Sequence, residues 1–182
     1  MRFVQIRSLM PSAVLSGLVF SFLLCGFTVK GQTTTFTKPG LEYVLEFPSP
    51  MWQPVSRVDV HQHFEFTNGA DPKNGHLRLR KALVAAGTAP SDLFLKEEKL
   101  ELQLLPGYII CNDGKGESFK GHLSGAAFSY DFVSGGKPMS GRIYYLQLDN
   151  RTFYSLHFTV TSDKLASLRG QMDSIAGSFR LK

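Results

Sequence analysis

Asp59, His61, His63 and Glu65 set four side chains of metal-ligand type at steps of two along the chain. On a strand those steps turn all four to one face, about 6 to 7 Å apart, where a His-x-His pair can hold a divalent transition metal through its ring nitrogens. The intervening residues Val58, Val60, Phe64 and Phe66 are apolar, so the same pattern also describes the wet face of an amphipathic strand. Folding back a hairpin would bring His76, Arg78 and Arg80 alongside. That supplies the carboxylates with cross-strand cationic partners, and guanidinium charge opposes a dication. Both readings stand on the sequence.

Other reactive types lack the neighbours that their chemistry needs. Cys111 follows Tyr108-Ile109-Ile110 and precedes Asn112-Asp113, and apolar bulk with an acidic residue favours the neutral thiol over a nucleophilic thiolate. His122-Leu123-Ser124-Gly125 lacks the leading glycine of a nucleophile elbow. Gly114-Lys115-Gly116-Glu117-Ser118 has neither phosphate-loop nor dinucleotide spacing. Both glycine clusters read as turns. His157 sits on a strand pattern with Phe153, Ser155 and Thr159 and receives no role. Asn150-Arg151-Thr152 matches a glycosylation acceptor at a predicted hairpin tip, relevant in a eukaryote. No cofactor is expected, with a divalent transition metal as the alternative.

The first 31 residues carry Arg2 and Arg7, an uncharged apolar middle and a small-residue exit, the pattern of a secretory signal. Val29 and Gly31 suit a peptidase, which makes Gln32 the first mature residue. The alternative is an uncleaved anchor over residues 10–29. Removing Arg2, Arg7 and Lys30 from 20 basic and 15 acidic residues lowers the net charge from +5 to +2. No concentrated basic footprint remains, so a nucleic-acid partner is not expected. Cys25 leaves with the signal and Cys111 stays alone, so the exported chain must be held together by its core.

Residues 32–40 read as a flexible lead-in, and residues 41–182 as one α+β domain. Leu41, Tyr43, Leu45 and Phe47 alternate as a strand, Pro48, Pro50 and Pro54 stop it, and the alternation resumes from Val58 to Phe66. A loop from Asn68 to Gly75 then leads to Leu77, Leu79 and Leu83, completing two or three strands of one meander. A helix follows over Pro90 to Leu105, capped by Ser91. Three further strands carry Ala126 to Phe132, Arg142 to Leu148 and Tyr154 to Val160, the last two joined at Asp149-Asn150 by residues that tolerate positive φ. Leu165, Leu168, Met172 and Ile175 mark a closing amphipathic helix, with Gly177 as a left-handed stop. The sum is a mostly antiparallel sheet flanked by helices.

Tyr43-Val44-Leu45-Glu46-Phe47-Pro48 followed by Trp52, the aromatic hairpin from Gly141 to Val160, and the ending Ile175-Ala176-Gly177-Ser178-Phe179 resemble the PsbP-like superfamily of exported α/β/α sandwich domains. The resemblance spans about Leu41 to Lys182 and rests on pattern and order. It implies a binding or assembly module without enzyme activity and carries no functional residue with it.

The sequence therefore leads to an exported, periplasmic or extracellular, non-enzymatic module that engages an envelope or secreted partner. Tyr144, Tyr145, Phe153 and Tyr154 cluster on one hairpin, and Tyr144, Phe153 and Tyr154 are the candidate recognition patch. Metal handling on the His61/His63 strand is the alternative. A hydrolase or lyase in a pocket between sheet and helix, built from histidines, Asp131, Glu117 or Cys111, is the third.

Overall fold

The computed structural model describes residues 33–68 and 71–182. The proposed export segment lies outside them. In chain order the strands are β1 (Thr34–Phe36), β2 (Tyr43–Phe47), β3 (Trp52–Val55), β4 (Gln62–Asn68) and β5 (Asp71–Leu83). Helix α1 (Pro90–Leu100) and a 3-10 turn (Leu102–Leu104) follow, then β6 (Ile109–Ile110), β7 (Glu117–Lys120), β8 (Ser124–Ser134), β9 (Lys137–Gln147) and β10 (Thr152–Thr161). Helix α2 (Ser162–Ser178) and β11 (Arg180–Leu181) close the chain. No helix among the described residues is long and apolar enough to cross a membrane.

The main sheet is antiparallel, in the order β3-β4-β5-β10-β9-β8-β6, with β7 also on β8. A small antiparallel sheet has the order β1-β2-β11. Alternation along β10 divides the core. Tyr154, Leu156, Phe158 and Val160 face α2 and the small sheet, together with Phe47, Trp52, Met172 and Phe179. Phe153 faces α1 instead, with Phe94, Phe128, Ile143 and Tyr145. The layers are α1, main sheet, and α2 with the small sheet, which is the helix-flanked sheet expected from the patterning and the α/β/α sandwich that the resemblance implies.

Several local expectations are corrected. The lead-in is ordered in part: Thr34–Phe36 pairs with Phe47–Leu45 in reverse, and Phe36 packs edge-on against Phe64. β2 leaves the meander and joins the chain's last strand, because its buried residues Tyr43, Leu45 and Phe47 cover the α2 layer. Pro54 does not stop a ladder. It sits on edge strand β3 opposite Phe64, where a missing N–H costs little. The stretch read as a loop up to Gly75 is largely strand, since β5 begins at Asp71.

Pro90 occupies the first helical position of α1, so the cap is Ala89 rather than Ser91, and Asp92 Oδ2 accepts the Ala89 N–H at 2.9 Å. The helix ends at Leu100 and tightens into the 3-10 turn instead of running to Leu105. At the β9–β10 tip the chain turns without positive φ, and Asp149 Oδ1 accepts the Arg151 N–H at 2.7 Å. Gly177 stays helical rather than turning left-handed. Its backbone packs against Gly121, where an added Cβ would lie 2.5 Å from Gly177 Cα.

Candidate functional site

α1 touches β8 and β9. A helix about 10 Å across covers about two strands spaced about 4.8 Å apart, so the β10-β5-β4 end of that sheet face is left to side chains. The residues there are polar, and they line an open hollow of about 360 Å³. Leu102 of the 3-10 turn, Leu105 just after it and Phe132 of β8 form its apolar wall.

Register sets the polar wall. His157 of β10 stands opposite Arg78 of β5, and Arg78 stands opposite His63 of β4. His76 is two residues along β5, diagonal to His63. Tyr130 of β8 faces Gly141 of β9, and only glycine fits there: a Cβ would meet the Tyr130 ring at 2.2 Å. The ring therefore lies over the sheet and directs its hydroxyl to His157.

The proton positions follow from the partners. Asp59 Oδ1 lies 2.7 Å from His63 Nε2, and a carboxylate only accepts, so Nε2 carries the proton. His63 Nδ1 then faces His76 Nε2 at 2.9 Å with one proton between them. Burial first, and the Arg57 charge next, bring His76 down to about 4, so it is neutral at pH 7. Burial likewise lowers His157. His157 Nδ1 lies 3.1 Å from Arg78 Nη2 and 3.6 Å from Glu97 Oε1. His157 Nε2 lies 2.5 Å from Tyr130 Oη, so the two groups share a hydrogen bond.

Behind this row, the buried Glu97 of α1 accepts from Arg80, from Tyr145 Oη at 2.6 Å and from Arg78 at 3.3 Å. Burial alone would raise its carboxyl, but His157, Arg80 and Tyr145 outweigh that and hold it at about 2. Glu101 takes a second contact from each arginine, at 3.3 Å. α1 is thereby pinned to the sheet through charge as well as through Phe94.

The four residues expected on one strand face do not share one. Val55 pairs with His63, so residues 56–61 belong to the β3–β4 connection, and Asp59 and His61 precede the strand. Val58 and Val60 are consequently exposed. Asp59 and His63 meet in the hollow. His61 lies in a separate depression beside Leu79 and Tyr154, and Glu65 pairs with Arg57 at 3.0 Å. Among the described residues, no three His, Cys, Asp or Glu side chains converge as a metal cage.

The aromatic recognition patch is corrected as well. Tyr144, Phe153 and Tyr154 are 0%, 0% and 1% exposed, because both sheet faces are covered where they point. Cys111 is half-buried and unbridged, with Sγ 3.7 Å from Asp131 Oδ2. Burial and that carboxylate push the thiol up. Asn150 is exposed at the β9–β10 tip.

His157, Tyr130 and Glu97 are the site residues that sequence reasoning passed over. The one available signal was Ser155, His157 and Thr159 recurring at steps of two on a central strand, a polar stripe where a doubly covered sheet should be apolar.

No family model matches the chain, and no curated protein matches it. Solved structures do. The solution structure of cyanobacterial PsbP (CyanoP) from Synechocystis has a TM-score of 0.57 at 11% identity, covering 87% of this chain and 97% of that one. LpqN of Mycobacterium tuberculosis has 0.53 at 18% identity, covering 83% and 91%. The Ran-binding protein Mog1p of Saccharomyces cerevisiae has 0.57 at 8% identity, covering 82% and 95%. The chain spans 49% of the length of a Bacteroides thetaiotaomicron structure that it also matches. The fold is that of the PsbP/Mog1-like domains.

Proposed function

We propose that this chain is an exported, non-enzymatic binding module whose recognition site is the hollow beside α1. One observation carries the reading: β4, β5, β8, β10 and the 3-10 turn converge side chains on an open concavity whose histidines are engaged by Asp59, Arg78 and Tyr130. None of these bonds prepares a serine or cysteine nucleophile, and Cys111 lies outside the hollow lining with its thiol pushed up. The fold likeness supports the same reading. CyanoP and LpqN share the architecture, the latter involved in cell envelope biogenesis, and Mog1p binds Ran.

Export rests on residues 1–31, and N-terminal sequencing of the processed chain is expected to begin at Gln32. For the site, a photo-crosslinking residue at Leu105 on the lip is compared with one at Lys120, outside the hollow lining. Adducts formed in the producing cells at Leu105 alone support the hollow as the contact site. Equal yields at both positions, or none at either, would sink it.

A metal reading is favoured by a different pair from the one the spacing pointed to. His63 Nδ1 and His76 Nε2 face each other, with Asp59 behind His63 as an orienting carboxylate. A cation there would take two imidazoles and complete its shell with water, against the charge of Arg57 and Arg78. Calorimetric titration with zinc and manganese, compared with a His63→Ala/His76→Ala double variant, decides it: identical heats end the metal reading.

A further inference from the structure

We propose that the depression between the start of β2 and the β5–β10 pair takes a neutral ligand with neighbouring hydroxyl groups, the chemistry of a sugar ring. This site is separate from the hollow and does not depend on it. One atom points to it. Tyr43 is 4% exposed, and its Oη is buried with no hydrogen-bond partner among the described residues. The ring is stacked on Phe179 at 5.2 Å and edge-on to Tyr154 at 5.9 Å, so the hydroxyl cannot swing to a partner elsewhere. Buried hydroxyls in native folds are almost always hydrogen-bonded, because leaving one unpaired is costly.

Register builds the wall around that hydroxyl. Lys81 of β5 stands opposite Tyr154 of β10, so the two side chains share a face of the sheet. Both reach Glu42, the residue before β2: Lys81 Nζ lies 2.6 Å from Glu42 Oε1, and Tyr154 donates to the same oxygen. These three residues line an open depression of about 250 Å³ together with Tyr43, His61 and Leu79. The Tyr43 hydroxyl belongs to the same cluster. Burial first, and the Glu42 charge next, push it up to about 12, and Tyr43 is in turn among the causes that raise Tyr154.

The charges of the lining cancel. Its ionised residues are Glu42, Lys81 and Arg80, and the Arg80 guanidinium lies on the other face of the sheet, donating to Ser155, Glu97 and Glu101. Burial lowers His61 from its usual value, so it is neutral at pH 7. Glu42 and Lys81 remain, and they pair with each other, which favours neither a lone cation nor a lone anion. What stays open is hydrogen bonding of both kinds on adjacent atoms. Glu42 Oε2 has no partner among the described residues and accepts, Lys81 keeps two of its three protons, and Tyr43 Oη can do either. A single hydroxyl meets an acceptor beside a donor, because it donates and accepts through one atom, and Tyr43 meets the next hydroxyl along. An amide divides those roles between separate atoms. Leu41, Val60 and Leu79 supply apolar contact, and about 250 Å³ suits one ring of roughly ten to twelve heavy atoms.

The test is an NMR titration of the full protein, as purified, with glucose, cyclohexanol and glycine, followed on the ring signals of Tyr43 and Tyr154. Glucose is expected to shift both saturably, and about fivefold more tightly than cyclohexanol, with its one hydroxyl, or glycine, a zwitterion. Tyr43→Phe keeps the ring on Phe179 and is expected to weaken glucose about fivefold, as for one lost hydrogen bond, read on Tyr154. Glu42→Gln is expected to weaken it about tenfold, because the lost acceptor is charged. Tyr43→Phe is also expected to leave the urea unfolding midpoint unchanged or raised, since the hydroxyl it removes has no partner in the fold.

No shift with glucose, or glucose affinity unchanged in Tyr43→Phe, overturns the proposal. Glycine binding as tightly as glucose would assign the Glu42–Lys81 pair to a zwitterion and overturn the hydroxyl class. Cyclohexanol binding as tightly would remove the need for neighbouring hydroxyls. A lowered unfolding midpoint in Tyr43→Phe would show that the hydroxyl has a partner in the fold, which takes away the premise. Crosslinking at Leu105 is independent of all these results, so the hollow stands or falls separately.

Discussion

The two faces of the main sheet are built on different principles. The α2 face is dominated by aromatic packing: Phe158 meets Trp52 and Tyr144 edge to face, each at 5.7 Å, and Phe47, Phe179 and Met172 close around them. The α1 face has an apolar half under Phe94, stacked on Phe128 at 4.4 Å, and a charged half organised by Glu97. The first face buries one charge, Arg142, which donates to Tyr144 Oη at 2.8 Å, Glu117 at 2.9 Å and Ser129 at 3.0 Å, and elsewhere its burial is set mainly by shape. On the second, each buried polar group also needs a partner, and where the helix runs out the polar residues surround a hollow rather than a core.

The comparison is broken most severely from the aromatic side. Phe158→Ala empties a fully buried site between Trp52 and Tyr144, and a loss of about 3 to 5 kcal/mol in urea unfolding is expected. A loss below about 1 kcal/mol would mean that the α2 face is loosely packed and that the contrast between faces is wrong.

Glu97→Gln tests the charged half. It leaves Arg78 and Arg80 with Glu101 as their carboxylate partner, and a loss of about 2 to 3 kcal/mol is expected at pH 7, less than full removal of a buried partner because both arginines are about a quarter exposed. The carboxyl is depressed in the fold, so its contribution is full above about pH 4.5 and fades as pH falls toward about 2. The variant and the parent should therefore converge in stability through that window. Parallel curves would remove Glu97 as the electrostatic pin.

The smallest effect belongs to the rim of the hollow. His76 stays neutral down to about 4, whereas the unfolded chain binds its proton near 6.5. The unfolded state holds more protons between those values, so stability rises with pH across the interval and is lost on acidification through it. His76→Gln is expected to flatten that limb by about 1 to 2 kcal/mol. An unchanged slope of unfolding free energy against pH between 4 and 6.5 would show that His76 is not held neutral by the fold.

The parts legible in the sequence are those whose cause is local. Tyr43, Leu45 and Phe47 announce a strand by alternation, and Leu168, Met172 and Ile175 announce a helix by their spacing, because one buried face is enough to impose either period. Their partners were harder to read. β2 pairs with β1 and β11, and the residues from Val58 to His61 form a connection although they alternate like a strand, because Val55 pairs with His63 and fixes the turn.

The candidate site was half legible. Asp59 and His63 stood out by spacing, and the cross-strand approach of His76 and Arg78 followed from a hairpin. Tyr130 and His157 are 27 residues apart in the chain and meet only because β8, β9 and β10 lie side by side, with Gly141 leaving room for the ring. Glu97 reads as one more charge on a helix until α1 lies across two arginines and a tyrosine.

By itself, then, the sequence determined which stretches bury a face and that the faces enclose a sheet, since solvent exclusion acts on neighbours within a turn or two. Only the tertiary structure decided which buried polar groups share a proton, which arginine is spent on which carboxylate, and that Tyr144, Phe153 and Tyr154 are core. Those outcomes depend on hydrogen bonds and contacts between distant strands, whose geometry requires angstrom-scale register that no local period encodes.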